Sequence, residues 1–176
     1  FVVSQRFIAD KSKNYRTLED LKGKTVVVTT GTTTVKNLRE LDSTRKLGLT
    51  IRSGKDHQDS FLLVTSGRAE AFFEDDILLV GMAASSPTPD AFALSTERYS
   101  SDPYAIAFAK GDVNFKALVD RVISRLASSG ELEKMYDRWF VQPIPPKNIA
   151  LNFPMSAAMK RVIANPTDSP DTDQYK

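Results

Sequence analysis

The chain has 176 residues, of which 41% are hydrophobic and 26% charged, the composition of an ordinary globular protein. Lysine and arginine outnumber aspartate and glutamate by only 24 to 22 and form no basic run, so nucleic acid is not expected as a partner. Because the sequence contains no cysteine, disulfide scaffolds, thiolate metal sites and cysteine nucleophiles are excluded. It also contains no apolar run long enough to span a bilayer.

Strand and helix patterns alternate through the first half of the chain. In chain order, the predicted elements are a strand over Phe1–Ala9, a short helix over Thr17–Gly23, a strand over Lys24–Thr30, a helix over Thr33–Leu41, a strand over Leu47–Ser53, a helix around Phe61–Val64, a strand over Ala69–Phe73 and a helix over Ile77–Ala84. This repeated β-α order with short connections predicts an α/β fold, with a mostly parallel sheet flanked by helices on both faces.

The second half of the chain is predicted to be mainly helical. Two further strands are predicted over Ala91–Leu94 and Tyr104–Ala109, followed by amphipathic helices over Val113–Ser128, Glu131–Phe140 and Met155–Ile163. The last segment, residues 166–176, is rich in proline, aspartate, threonine and serine and is predicted to be a disordered tail.

Three polar clusters follow three successive strands of the predicted sheet: Thr30–Thr34, Lys55–Ser60 and Glu74–Asp76. In open α/β sheets, ligands bind outside the carboxyl ends of the strands. We therefore expect the three clusters to come together at one edge of the sheet and to form a binding site.

The first cluster has the layout of an anion-binding turn. The strand that ends near Thr30 meets Gly31, and a helix then begins among Thr32 and its neighbours. The first N–H groups of a helix have no intrahelical partner, and they favour a carboxylate or a phosphate. An ordinary turn in which the threonines only cap the helix remains an alternative on these residues alone. The lysine and the second glycine of a phosphoryl-transfer loop are missing.

The second cluster contains His57, the only histidine of the chain. Its neighbours Asp56 and Asp59 would favour the imidazolium, which suits an anionic ligand group. Ser60 does not complete a hydrolase site, because closeness in sequence is not triad geometry and no nucleophile elbow is present. One histidine among carboxylates on separate loops does not define a metal site either. We predict no catalytic residue, no metal and no cofactor.

The third cluster, Glu74–Asp76, directly follows an apolar strand and begins a helix. These acids could simply complement the helix dipole, and that alternative stays open. A ligand ammonium group would account for at least one of them equally well. A helix start for one carboxylate, a histidine for another anion and an aspartate for an ammonium group together describe the recognition of an acidic amino acid.

Several phrases of the sequence carry a family resemblance. TLEDLKGKTVVVTTGTT, SGRAEAFFEDD and FKALVDRVISRLASSGELEKMYDRWF resemble the second lobe of the periplasmic amino-acid-binding proteins of ABC importers, the family 3 solute-binding proteins. GKDHQDSF and PIPPKNIALNF are most similar to the glutamate/aspartate-binding branch. The resemblance extends from Phe1 to about Ile163.

The resemblance implies a role for five residues of this sequence. Thr32 and Thr33 would bind a ligand carboxylate, and Thr30 would line the same wall of the site. His57 would contact the side-chain carboxylate of glutamate or aspartate. Asp75 would hold the α-ammonium group.

The same resemblance implies a division of the chain into segments. Residues 1–9 would form a hinge strand, 10–103 the second ligand-binding lobe, 104–110 a second hinge strand, 111–140 the C-terminal helices and 141–165 an extension that packs on the first lobe or on a partner. Most of the first lobe would be absent from this sequence. Because such proteins trap ligand by closing two lobes about a hinge, we expect the chain alone to bind free glutamate weakly or not at all.

The resemblance also implies partners and a location. The implied partners are an acidic L-amino acid, glutamate or aspartate, and the ABC permease of the inner membrane. The implied location is the periplasm. We further expect Phe1–Ala9 or Val141–Ile163 to make intermolecular contacts, as in a swapped dimer or a homodimer. An extracellular amino-acid-sensing domain of a receptor or kinase is an alternative function. An enzyme is the least favoured class, because no nucleophile and base are paired.

Overall fold

The structure, a computed structural model, describes residues 1–175 and divides them into two compact units. One unit is Ser4–Ser100; the other combines Phe1–Val3 with the chain from Ser101 onwards. The strands are β1 (Val2–Val3), β2 (Gln5–Asp10), β3 (Thr25–Thr29), β4 (Thr50–Gly54), β5 (Ala71–Asp75), β6 (Phe92–Leu94) and β7 (Asp102–Pro103). The α-helices are α1 (Thr33–Arg45), α2 (His57–Thr65), α3 (Asp76–Ser85), α4 (Val113–Ser128), α5 (Glu131–Tyr136) and α6 (Ala157–Ala164).

The unit Ser4–Ser100 is built on a five-stranded sheet with the order β4-β3-β5-β2-β6. β3 pairs in parallel with β4 and β5, whereas β2 pairs antiparallel with β5 and β6. Four strands therefore run in one direction and β2 runs against them. The prediction of a mostly parallel sheet is confirmed, and the opposed strand is the one with which the chain enters this unit.

Neighbouring residues of the central strands pack on opposite faces of this sheet. Val28 of β3 belongs to a buried cluster with Leu38 of α1. Val27 belongs to a second buried cluster with Phe61 of α2 and Leu79 of α3. Because successive side chains of a strand point to opposite faces, the two clusters lie on the two sides of the sheet. Helices on both faces were predicted, and this arrangement is confirmed.

The short helix predicted over Thr17–Gly23 is a 3₁₀ turn over Leu18–Leu21. The N–H of Thr17 donates to Asp20 Oδ2 at 2.9 Å, which is half of the capping box that the sequence pattern indicates. Leu18 and Leu21 are fully buried beneath the sheet. The turn therefore closes one end of the core on the α1 side.

The second unit contains a two-stranded sheet of β1 and β7 and the helices α4, α5 and α6. Its core is an aromatic and aliphatic cluster in which Phe1 stacks on Tyr136 with ring centroids 5.7 Å apart, and Met159 and Ile163 of α6 are buried. The predicted bounds of α4 match the structure. The helix predicted over Glu131–Phe140 is α5 followed by a π-helical segment, Asp137–Val141.

Three segments differ from the sequence predictions. Phe1–Ala9 is not one strand, because it breaks at Ser4 and its halves belong to different units. Residues 104–109 form no strand: the pairing of β1 with β7 lies at Asp102–Pro103, and beyond it Tyr104 N donates to Phe1 O at 2.7 Å. In the tail predicted to be disordered, Thr172–Tyr175 forms a 3₁₀ helix and Tyr175 is buried, while Lys176 lies outside the described residues.

Both segments expected to make intermolecular contacts make contacts within the chain. In Phe1–Ala9, residues on both sides of the break at Ser4 are buried, including Val3 and Ile8. In Val141–Ile163, Phe153 N donates to Phe140 O at 2.9 Å. The structure therefore gives no support to a dimer through these segments. No helix within residues 1–175 combines the length and the apolar character that crossing a membrane requires.

Candidate ligand-binding site

The carboxyl ends of three parallel strands meet at one edge of the larger sheet. β3 ends at Thr29, β4 at Gly54 and β5 at Asp75, and the helices α1, α2 and α3 begin within four residues of these ends. The three polar clusters singled out in the sequence therefore share one edge, with three helix N-termini. This is the position at which open α/β sheets bind ligands.

The loop between β3 and α1 presents its threonines in different ways. Gly31 has a φ of +81°, a conformation that favours glycine and lets the chain turn directly into α1. Thr32 Oγ1 donates to the carbonyl oxygen of Thr29 at 2.8 Å, and its side chain makes no capping bond to the first turn of α1. Thr30 and Thr33 are exposed. The start of α1 therefore keeps N–H groups available for an anion.

Gly54 permits the close approach of α2 to the end of β4. A Cβ atom at this position would lie 2.7 Å from the backbone nitrogen of Ser60 and 2.9 Å from its Cα. Because these are backbone contacts, a side chain at residue 54 would require the helix to move. The absence of a side chain thus fixes where the first turn of α2 sits relative to the sheet edge.

His57 is the first residue of α2 and is held from its Nδ1 side. Asp56 caps the helix by accepting a hydrogen bond from the N–H of Asp59 at 2.8 Å. His57 Nδ1 lies 2.9 Å from Thr29 Oγ1 and 3.6 Å from Glu74 Oε2. The side chain is 40% exposed, so the imidazole is anchored at Nδ1 and is partly accessible to solvent elsewhere.

The hydroxyl groups beneath His57 define where its proton lies. Ser60 Oγ is 2.9 Å from the carbonyl oxygen of Asp56, which can only accept, so Ser60 donates to it. Thr29 Oγ1 is 3.0 Å from Ser60 Oγ and then donates its one proton to Ser60. Thr29 is left as an acceptor towards His57. This chain of bonds therefore favours a proton on Nδ1 of the imidazole.

Glu74 is the second neighbour of Nδ1 and is only 3% exposed. Thr34 Oγ1 lies 3.4 Å from its Oε2, and the N–H of Asp75 donates to its Oε1 at 3.2 Å. Burial raises the pKa of Glu74 to about 7, and the charge of Asp75 acts in the same direction. The carboxyl group can therefore change its charge near neutral pH.

Asp75 and Asp76 have different surroundings. Asp75 is the half-buried last residue of β5 and the N-cap residue of α3. Asp76 is 1% exposed and accepts hydrogen bonds from Arg98 Nη1 at 2.8 Å and from the N–H of Ser4 at 3.3 Å. Burial raises the pKa of Asp76, and Arg98 opposes that shift. Asp76 is thus a structural residue, and Asp75 is the more accessible of the two aspartates at this edge.

The structure brings the sequence-predicted residues to one edge, adds Thr29, and gives a connecting role to Ser60 and Glu74, which the sequence analysis placed in the polar clusters without a role of their own. Thr29, Ser60 and Glu74 connect the loops after β3, β4 and β5. Glu74 could have been found from the strand period, since it lies two residues after the buried Phe72 and therefore on the same face. Thr29 and Ser60 carry no comparable signal. Within residues 1–175, no three His, Asp or Glu side chains are grouped as a metal site would require.

An α/β lobe with helix N-termini, hydroxyl groups and one anchored histidine at the carboxyl edge of its sheet defines a small-molecule-binding module. The chain is 45% identical over 168 residues to the L-glutamate/L-aspartate-binding protein of Pseudomonas aeruginosa, covering 96% of this chain and 56% of that protein. It is 44% identical over 168 residues to the glutamate/aspartate import solute-binding protein of Salmonella typhimurium, with the same coverage. Over 96% of its length the chain is therefore similar to bacterial amino-acid solute-binding proteins, and this similarity assigns its fold class.

Solved structures agree with this assignment at the level of the fold. An ancestral arginine-binding protein bound to arginine superposes with a TM-score of 0.67 at 25% identity, covering 80% of this chain and 61% of that chain. No family model matches the chain. The chain spans a little over half the length of the two bacterial relatives.

Proposed function

We propose that this chain is the second lobe, with its C-terminal segments, of the substrate-binding component of an ABC amino-acid importer. The ligand is glutamate or aspartate, the partner is the permease of the inner membrane, and the location is the periplasm. The names and the 44–45% identity of the relatives support this assignment. It makes the chain a binding protein rather than an enzyme.

Each polar group at the sheet edge has a role in this proposal. The start of α1, with Thr30, Thr32 and Thr33, binds one carboxylate through hydroxyl and N–H groups. His57 binds the side-chain carboxylate of the ligand, and Asp75 binds its ammonium group. The observation that carries the proposal is the anchoring of His57 through Nδ1, which leaves the other ring nitrogen for a ligand.

The site in this chain is one wall of a cleft whose other wall belongs to the first lobe. In this proposal residues 1–9 and 104–110 are the hinge segments, and the passages of the chain between its two units, at Val3–Ser4 and at Ser100–Ser101, lie within the first and shortly before the second. Closure of the two lobes around the ligand then completes the site. The isolated chain therefore binds free glutamate weakly or not at all.

Apolar side chains exposed on α4 support the proposal that another part of the intact protein covers this helix. Val113 is 71% exposed, Leu118 47% and Val122 37%. An exposed face of this kind commonly marks an interface. In this proposal the first lobe covers it in the intact protein. A second copy of the isolated chain could cover the same face of α4 instead. Light scattering distinguishes the two cases, because the second copy would make the isolated chain a dimer.

Isothermal titration calorimetry tests the proposed function on the intact two-lobed protein. We expect tight binding of glutamate or aspartate, weaker binding of glutamine and no comparable binding by the 176-residue chain alone. Micromolar or better affinity of the isolated chain for glutamate or aspartate would contradict the proposal that it carries only one wall of the site. Tight binding of a basic amino acid with no response to glutamate or aspartate would contradict the ligand assignment.

A further inference from the structure

The buried carboxyl group of Glu74 has no role in the proposed contacts to the ligand, yet it lies directly behind one of them. Its Oε2 is 3.6 Å from Nδ1 of His57, on the side of the ring that Thr29 also contacts at 2.9 Å. Unlike the half-exposed histidine, the carboxyl group is almost completely shielded from water. A shielded charge at this distance acts strongly on the proton of the imidazole.

Two partners favour a proton on Nδ1 when His57 is neutral: the hydroxyl of Thr29, which can turn its own proton towards the ring once Nδ1 is bare, and the carboxylate of Glu74, which can only accept. Thr29 accepts from the ring while its own proton goes to Ser60. Glu74 attracts the same ring proton whenever it is ionised. A neutral imidazole carries only one N–H, so Nε2 is then a bare acceptor. A bare acceptor repels the carboxylate of an acidic ligand.

We propose that Glu74 makes binding of an acidic ligand depend on the uptake of one proton, because its carboxylate and Thr29 keep the proton of neutral His57 on Nδ1. The inference rests on the proposed function of the site. The second proton goes to Nε2 of His57 and creates an imidazolium between two carboxylates, that of the ligand and that of Glu74. Charge balances, since the ligand adds one negative charge and the proton one positive charge.

The other charged groups near Glu74 do not substitute for His57 as its partner. They are Asp75 on the same strand, Arg6 opposite Glu74 on β2, and Asp56 and Asp59 at the start of α2. Asp56 and Asp59 accept hydrogen bonds from backbone N–H groups of their own loop. The charge of Arg6 interacts with Arg98 and Asp76. Thr34 of α1, which also contacts Glu74, is uncharged.

Proton uptake can be measured on the unmutated intact protein. Calorimetry of glutamate binding at about pH 8, in two buffers of different ionisation enthalpy, is expected to show close to one proton taken up per ligand. With one proton taken up per ligand, the affinity should fall by about tenfold between pH 8 and pH 9. Glu74→Gln cannot ionise, and its amide can donate to Nδ1, so we expect less than about a twofold change over the same unit. Glu40→Gln, which removes an exposed charge on α1, should behave like the unmutated protein.

A second measurement separates this inference from the proposed function. His57 is the only histidine of the chain, so nitrogen-15 spectra of the 176-residue chain report its ring without ligand. At about pH 8, we expect a protonated Nδ1 in the native chain and a loss of that proton from Nδ1 in Glu74→Gln. An unprotonated Nδ1 in the native chain, or proton uptake near zero in calorimetry, would overturn the inference. If glutamate does not bind at all, the proposed function fails and the spectra alone decide the role of Glu74.

Discussion

The carboxylate of Asp76 and the guanidinium of Arg98 form an ion pair, with Oδ2 and Nη1 2.8 Å apart. The carboxylate is 1% exposed and the guanidinium side chain 46% exposed. Asp76 also accepts from the N–H of Ser4, and Arg98 Nη1 donates to the Ser4 hydroxyl at 3.3 Å. The pair therefore fastens the first turn of α3 to Ser4, one of the two points at which the chain leaves this unit.

Removal of Arg98 should destabilise the chain, because the buried carboxylate of Asp76 loses the cation that is hydrogen-bonded to it. We expect Arg98→Ala to lower the free energy of unfolding by about 2 kcal/mol, less than for a fully buried pair because the arginine is half-exposed and because the charge of Arg6 still acts on Asp76. Denaturation with urea measures this. Arg39→Ala, at an exposed position of α1, is the matched control and should change stability by less than about 0.5 kcal/mol. Equal effects of the two substitutions would contradict the structural role of the pair.

The buried carboxyl group of Glu74 should make stability fall as pH rises. Its pKa is raised from an ordinary value of 4.5 to about 7, so between these pH values the folded chain holds a proton that the unfolded chain has lost. The contribution is fully present below about pH 4.5 and is lost by about pH 7, with a total of about 3 kcal/mol.

Glu74→Gln removes this titration and isolates it from all other groups. The difference in free energy of unfolding between the variant and the native chain, measured by urea denaturation, should shift in favour of the variant by about 3 kcal/mol from pH 4.5 to pH 8. Glu40→Gln serves as the control and should show no such trend. A difference that stays constant over this range would show that Glu74 is already ionised in acid.

A side chain at residue 54 should disturb the site and the fold together. Gly54→Ala places a Cβ 2.7 Å from the backbone nitrogen of Ser60, so α2 must shift away from β4. We expect a loss of about 3 kcal/mol in the free energy of unfolding. Gly81→Ala in α3 is the matched control, because its Cβ would meet no atom within 4 Å and alanine favours a helix by up to about 1 kcal/mol. Thermal melting that ranks Gly54→Ala as stable as Gly81→Ala would contradict the close approach.

The sequence predicted most of the elements around the site, since their signals are local. The β-branched run at Val26–Val28 marks β3, and the apolar spacing of residues 113–128 marks α4 with its observed bounds. The edge at which polar loops gather follows from the β-α order alone. Tyr104–Ala109 misled the prediction, because alternating apolar residues also occur outside strands, and Ile106 is 60% exposed.

The network behind His57 could not be predicted from the sequence. Thr29, Ser60 and Glu74 follow or lie near three different strand ends, and their hydroxyl and carboxyl groups meet only through the pairing of β3 with its two neighbours. Threonine and serine at such positions are usually explained by capping or by strand propensity. Only the distances among these side chains show that they form a network with His57; their residue types do not.

Replacement of His57 tests most directly whether this residue recognises the acidic side chain of the ligand. In the intact two-lobed protein, calorimetry of His57→Ala with glutamate and with glutamine compares a charged ligand with its uncharged analogue. We expect the affinity for glutamate to fall by about thirtyfold, because a charge-assisted hydrogen bond is lost, and the affinity for glutamine to change little. An equal loss for the two ligands would contradict the assignment of His57 to the ligand carboxylate.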